Sequence, residues 1–356
     1  MRRICFFGAW DPDYPRNRIL REGLRRAGCG VLEARARETR AFRRWPALVS
    51  SWRRVARETD VMFVPEFRHK DVPLARLLRG RRPLVFDPLV SRWDTLVGDW
   101  RLHGASSAQA RWNRALDRWS LGCADLVLCD TWAHGELFES LGARRARLRR
   151  VLVGAEDVFF SIGPPPAPEP LRILYVGGFL PLHGTPTIIE AAAALEARGA
   201  ALPPWTLRMV GTGIEYESCR ALAAQRRLTR IEFAGRRPYD EAPREIAAAH
   251  LVLGAFGAGD KTARVIPHKL WQGLAAGRAV VTGDGPGVRE VFTDGVHLSL
   301  APRGEAGALA DALASLLVAA PLRASLAAAG HARAVEIGTP EAVGRTLAGA
   351  IAEVAA

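Results

Sequence analysis

GAFGAGDKTARVIPHKLWQGLAAGRAVVTGDGPGVREVF, residues 254–292, is the stretch on which the reading of this chain turns. It predicts a Gly-rich loop, a helix from about Pro267 to Ala276, a turn at Gly277, a short buried strand AVVTG and a second Gly/Pro loop. Lys261, Arg264 and Lys269 surround the start of that helix. The first N–H groups of a helix have no partner within it, so a helix start among cations draws anions, phosphate above all. The plainer alternative is a solvated loop with two surface lysines. Residue choice favours the anion site. Of 50 Lys+Arg only Lys70, Lys261 and Lys269 are lysine, so arginine is the default cation here. Lysine brings a compact point charge where arginine brings a planar fork.

Working outward, apolar runs alternate with amphipathic segments. In the first half strands are predicted at 3–8, 60–64, 83–87 and 125–129, with VLVGA at 151–155 as the last. Helices are predicted at 16–27, 41–57, 70–79, 106–122 and 132–141. SIGPPPAPEP at 161–170 is too rich in proline for a strand or helix interior and reads as a stiff linker. The alternation then restarts, with strands at 171–177, 206–210, 230–234, 250–255 and 279–282 and helices at 185–198, 215–227, 240–249 and 304–319. Such alternation implies parallel sheets with helical crossovers. The expected architecture is α/β: a Rossmann-like domain over 1–160, a linker over 161–170, and a second Rossmann-like domain over 171–335. A terminal helix at 336–356 packs back on the first domain. Two such domains facing across a cleft would place ligands at the carboxyl ends of their strands.

The 356 residues, 49% hydrophobic and 24% charged, have the composition of a globular protein of two domains. No apolar run reaches the ~18 residues of a membrane span. MRRICFFGAWDPD reads as a first buried strand, its apolar patch being too short for a signal peptide. Cys5, Cys29, Cys123, Cys129 and Cys219 show no paired spacing, which predicts reduced thiols, a cytoplasmic protein and no zinc. Charge is uneven. Residues 1–160 hold 31 Lys+Arg and 19 Asp+Glu, a surplus of 12, whereas 161–356 hold 19 and 18, a surplus of 1. Eight of the ten tryptophans also precede residue 160, so the two halves should meet different partners.

The order of parts in the second half resembles a GT-B glycosyltransferase of the retaining group 1 (family 4) class. ILYVGGFLPLHGTPTIIEAAAAL looks like that family's first C-domain strand, Gly-rich loop and helix. LRMVGTG looks like its V-G-x-G strand end, IEFAGRRP like its F-x-G turn, and LVLGAFG through AVVTGDGPGVREVF like its nucleotide-sugar motif. In the first half YPRNRILREGLRRAG, FDPLVSRWDT, DLVLCDTWAH and VLVGAEDVFF look like segments of a subset of the class. The chain departs from the pattern in places. The two positions of the usual Glu-x7-Glu pair are Arg264 and Gln272. The usual diphosphate-binding Arg and Lys fall at about Gly178 and His183, which makes Lys261, Arg264 and Lys269 the residues to supply that charge. The family's catalytic-loop His aligns with Asp87.

Several positions admit two readings. DPD at 11–13 spells a metal-binding D-x-D but sits directly after the first strand, where an Asp turn is the better account, and no metal is expected. Gly211 and Gly213 in VGTG either approach a diphosphate through their backbone or make a plain strand-end turn. Arg16 and Asn17 open a helix on the expected cleft side, where they contact a sugar or simply start the helix. Asp87 either aids the acceptor nucleophile or pairs with Arg92. His134 reads as a capping or core residue. Segment 35–57 sets Phe42, Trp45, Val49, Trp52 and Ala56 at helical spacing amid arginines. That is a basic amphipathic pattern suited to an anionic membrane surface, or a crossover helix burying its tryptophans. No nucleic-acid motif occurs, so nucleic acid is not an expected partner.

The resemblance implies a retaining, metal-independent glycosyltransferase with no cofactor. It would take a nucleotide-sugar as co-substrate, and the basic first half of the chain suits an acceptor hydroxyl on a lipid-linked or envelope glycan. Gly177, Gly178, Gly211, Gly213, Lys261, Arg264, Lys269 and Gln272 would bind the donor, and Asp87, Arg16 and Asn17 would act at the sugar. A catalytically silent GT-B protein binding a partner transferase or an anionic membrane is the alternative, and a nucleotide-sugar 2-epimerase a lesser one.

Overall fold

The computed structural model describes residues 1–37, 40–167 and 169–355, and the chain divides into two compact units. Unit 1 comprises residues 1–153 together with the chain from Thr339 onward. Unit 2 spans Gly154–Gly338.

Unit 1 contains β1 (Arg3–Gly8), α1 (Pro15–Arg26), β2 (Gly30–Arg35), α2 (Ala41–Val55), β3 (Val61–Val64), α3 (Val72–Leu78), β4 (Leu84–Phe86), α4 (Ala108–Cys123), β5 (Leu126–Cys129), α5 (Trp132–Ser140) and β6 (Leu148–Arg150). Its sheet is parallel throughout, in the order β2-β1-β3-β4-β5-β6. RICFFG shows why the strands read as unbroken apolar runs. Successive side chains leave opposite faces. Cys5 and Phe7 join a core with Leu48 and Trp52 of α2, whereas Ile4 and Phe6 join one with Ile19 and Leu20 of α1. The strand β2 lacks a strong apolar signature and had not been expected, and VLVGA follows β6 without forming the expected last strand.

Unit 2 contains α6 (Asp157–Phe160), β7 (Leu171–Val176), α7 (Thr185–Glu196), β8 (Trp205–Val210), α8 (Tyr216–Gln225), β9 (Ile231–Gly235), α9 (Ala242–Ala247), β10 (Leu251–Leu253), α10 (Asp260–Arg264), α11 (His268–Ala275), β11 (Ala279–Gly283), α12 (Pro286–Arg289), β12 (Ser299–Ala301), α13 (Ala306–Val318) and α14 (Ala320–Gly338). Its order is β12-β11-β10-β7-β8-β9, again parallel, so the chain order reverses between β7 and β10. Such a reversal opens a crevice at the strands' carboxyl ends.

The Pro-rich stretch, expected as a stiff linker, falls within unit 2. Arg278 donates to the Gly163 carbonyl, and His250 Nε2 lies 3.1 Å from the Pro166 carbonyl, so those carbonyls are anchored inside unit 2. Residue 168 of that stretch lies outside the described residues. The last helix, α15 (Pro340–Val354), packs on α1 in unit 1. A Cβ on Gly23 would stand 2.7 Å from the Gly344 Cα, so the two glycines let the helix backbones touch.

α2 runs unbroken through Pro46, and its two tryptophans face inward. Trp52 is buried, and Trp45 and Val49 pack against the same core. Of the two readings of 35–57, the crossover helix that buries its tryptophans is the one seen, and the interfacial placement of Trp45 and Trp52 is not. Arg44 is buried too, its Nε 2.7 Å from Asp71 Oδ1, whereas Arg43, Arg53 and Arg54 are exposed. Residues 38 and 39 and the side chain of Phe42 lie outside the described residues.

Candidate functional site

The opening motif folds as two helices. Asp260–Arg264 forms α10, the chain breaks at Ile266–Pro267, and α11 starts at His268. α11 lies close on the sheet because Gly273 faces Val252 and Val280, where a Cβ would already stand 3.0 Å away. Leu270, Trp271 and Leu274 are fully buried beside it. That depth carries Lys269, in the first turn, to 5% exposure.

The Lys269 Nζ makes no hydrogen bond, and it lies 4.0 Å from the centroid of the Tyr175 ring. Burial holds its pKa well below the ordinary lysine value. It points at the Gly177–Gly178 loop: a Cβ on Gly177, whose φ is +145°, would come within 2.7 Å of Nζ. The Gly178 carbonyl accepts from Tyr175 Oη at 2.5 Å and from His183 Nδ1 at 2.5 Å, which pins that loop. Burial, then Lys269, then Lys261 keep His183 neutral. Lysines from α10 and α11 thus bring positive charge to the place where the sequence had lost it.

The loops after β7 and β10 are stitched at the reversal point. Phe256 N–H donates to the His183 carbonyl, and Thr262 Oγ1 to the Leu182 carbonyl at 2.7 Å. Gly211 and Gly213 have a structural reason for being glycine. A Cβ on Gly211 would fall 1.8 Å from the Gly177 carbonyl oxygen, and one on Gly213 2.4 Å from that of Phe179. Two loop backbones therefore pack directly on each other.

Between the ends of β7 and β8 and the start of α9 lies a cavity of about 450 Å³. Gly177, Gly178, Gly211 and Gln272 line it, as the sequence had placed them, and Gly213, Lys261, Arg264 and Lys269 are not among its walls. Lys269 stands behind Gly177. The Arg264 carbonyl packs under Gly287, where a Cβ would be 2.4 Å away, which fixes α10 against α12. The walls also include Arg236, Arg237, Tyr239, Glu245 and His268, which residue-by-residue reading missed. The GRRPY turn after β9 was their signal. Gln272 Nε2 donates to Tyr239 Oη at 2.8 Å, and that hydroxyl donates to the Glu156 carboxylate.

In unit 1, Arg16 and Asp87 bind each other. Arg16 Nε reaches Asp87 Oδ2 at 2.6 Å and Nη2 reaches Oδ1 at 3.1 Å, with both groups at 0% exposure. Two further guanidinium N–H groups donate, from Nη2 to the Val151 carbonyl and from Nη1 to the Leu152 carbonyl. Burial opposes the Arg16 charge, and Asp87 more than restores it. Asp87 therefore pairs with Arg16 and not with Arg92, which was one of its two readings, and both side chains are buried. Asn17 is also enclosed. Its Nδ2 donates to the Asp11 carbonyl and to Glu66 Oε1 at 2.8 Å, while its Oδ1 and Glu66 Oε2 have no hydrogen-bond partner. Burial, then the charge of Asp87, push Glu66 up to about 8. Glu66 had carried no sequence signal, because a single Glu in VPEF reads as an ordinary loop residue. His134 is a core residue whose Nδ1 meets Asp130 Oδ1 at 2.8 Å, and Thr131 caps its helix. Asp11 and Asp13 form the turn, with Asp13 N–H donating to Asp11 Oδ1.

Residues 170–318 match the family described as glycosyl transferases group 1. The chain is 28% identical to the amylovoran biosynthesis glycosyltransferase AmsK of Erwinia amylovora over 194 residues, 54% of this chain and 46% of that protein. It is 29% identical to the putative colanic acid biosynthesis glycosyltransferase WcaL of Escherichia coli K12 over 193 residues, 53% of this chain and 46% of that protein. The chain thus spans about half the length of the curated relatives it matches. Among solved structures, HepE of Anabaena in complex with UDP and glucose superposes with a TM-score of 0.73 at 17% identity, covering 99% of this chain and 100% of that one. The same protein has been solved with UDP-glucose. These likenesses show the GT-B fold.

Proposed function

We propose, from the match of residues 170–318 to the group 1 glycosyl transferases, that the protein transfers a sugar from a nucleotide-sugar to a glycan hydroxyl with retention. One observation carries the reading: the buried Lys269 amine, without a hydrogen-bond partner, faces the Gly177–Gly178 loop that walls the cavity. A buried cation with no partner is costly and is relieved by an anion. The donor diphosphate is that anion, and HepE, similar in fold, is described in complex with UDP and with UDP-glucose. As the sugar leaves, negative charge grows on the diphosphate. Lys269 behind Gly177, with Arg236 and Arg237 in the wall, stabilises it and no metal is required. Among the described residues Glu245 is the one carboxylate of the wall, and both its oxygens accept from Arg208, at 2.7 and 2.9 Å. A double displacement through a wall carboxylate is therefore disfavoured, and the acceptor hydroxyl attacks from the face the diphosphate leaves. The acceptor class follows the curated relatives, described as biosynthesis glycosyltransferases.

Thermal shift against a panel of nucleoside diphosphates tests the reading. A ligand at ~100 times its Kd should stabilise the native protein by about 2.7 kcal/mol. No shift with any base would end it. The silent GT-B reading draws on Arg264 and Gln272 standing where the class carries carboxylates. Diphosphate binding without hydrolysis of any nucleotide-sugar would select it.

A further inference from the structure

We propose that the outer face of α4 in unit 1 docks on an anionic lipid bilayer. α4 turns Ala110, Asn113, Leu116, Asp117, Ser120 and Leu121 inward. Its outward residues follow a seven-residue repeat: Ala108, Ala115 and Gly122; Arg111 and Arg118; Trp112 and Trp119. Seven residues fall about 20° short of two full turns, so each set forms a row along the helix. At ~100° per residue the small side chains lie between the tryptophan row and the arginine row. Trp112 is 52% exposed and Trp119 53%, large apolar surfaces left in water. All three arginines of α4 are exposed. Its one acidic residue, Asp117, is buried and accepts from Ser91 Oγ and from the Arg92 and Trp93 N–H groups. The preceding turn adds Arg101 and Leu102, the latter 55% exposed.

Charge complementarity sets the occupant. Paired rows of indole and guanidinium, with no acidic side chain on the outer face of α4, fit a layer of anionic headgroups: indoles settle at the headgroup level and arginines meet phosphate. The α2 segment has exposed arginines but buries Trp52, so it lacks the aromatic half of such a surface. The inference does not rest on the donor cavity.

The test uses the full chain and sedimentation with vesicles of phosphatidylcholine alone or mixed with phosphatidylglycerol. Wild type should sediment with the mixed vesicles and not with the neutral ones. Arg111→Gln with Arg118→Gln should weaken partitioning about 30-fold at low salt, two charges at roughly 5-fold each. Trp112→Ala with Trp119→Ala should remove the part of binding that survives high salt. Arg53→Gln with Arg54→Gln on α2 should leave the affinity less changed than the α4 arginine pair does. Melting curves and nucleoside diphosphate binding, read on every variant, separate loss of docking from loss of fold or of the donor site. Wild type remaining in the supernatant with anionic vesicles at low salt overturns the proposal. So does α4-variant binding equal to wild type. A dimer in solution that the tryptophan variant dissolves, with no vesicle uptake, would show that a second copy covers this face instead.

Discussion

The Nζ of Lys269 lies 4.0 Å from the centroid of the Tyr175 ring, with nothing donated to any acceptor. A ring face offers a buried cation only partial compensation, worth about 2 kcal/mol when desolvated. A phosphate oxygen offers more. The pair therefore reads as a site whose ligand completes it.

Lys269→Ala should weaken nucleoside diphosphate binding by about 10- to 150-fold, the worth of a charge-assisted hydrogen bond of roughly 1.5–3 kcal/mol. The corresponding nucleoside, which has no phosphate, should lose little. Calorimetry on both ligands measures the ratio. Equal losses would make Lys269 a packing residue only.

Diphosphate binding should take up a proton. Burial holds the free amine below its usual pKa, and a neighbouring anion favours the charged form. Between the depressed free value and the restored bound one, the complex carries the extra proton, so affinity falls as pH rises through that window. Titrations in two buffers of different ionisation heat should give different apparent enthalpies, and Lys269→Met should abolish the difference. Buffer-independent enthalpies at every pH would contradict the assignment.

Asp87→Ala should destabilise unit 1 by about 3–5 kcal/mol, because it strands the buried Arg16 charge. That corresponds to a melting temperature lower by roughly 6–20 °C. Removing Arg16 as well should cost much less than the sum of the single changes, since the groups form one unit. An Asp87→Ala protein that melts like wild type would show that the pair contributes nothing to the fold.

Glu66 should make the protein less stable as pH rises. Its pKa is raised to about 8 in the fold, against an ordinary ~4.3 in the unfolded chain. Over that window the folded state keeps a proton that the unfolded state has released, so stability falls with rising pH. It is full below the unfolded value and lost through the folded one. Denaturant curves near pH 5 and pH 8 should diverge for wild type, and the divergence should shrink in Glu66→Gln. An unchanged divergence in the variant would place its origin elsewhere.

The two α/β units were readable from residues such as Ile4–Phe7 and Ala279–Thr282, because apolar runs of strand length need burial on both faces whatever surrounds them. The motif at 254–292 announced a helix start with cations, and glycines at 177, 178 and 211 marked the cavity wall for the same local reason: backbone conformation and close approach are written one residue at a time. The sequence by itself thus determined element types, the Gly-rich loops and the place where charge gathers. What it could not determine was where each charge points. Arg16 and Asp87 are 71 positions apart and meet only because α1 and the end of β4 converge. Trp52 and Trp112 both sit on Arg-rich helical segments, yet one is buried and the other half in water. Only the tertiary structure decided these, since pairing and burial depend on distances between elements that no local pattern encodes.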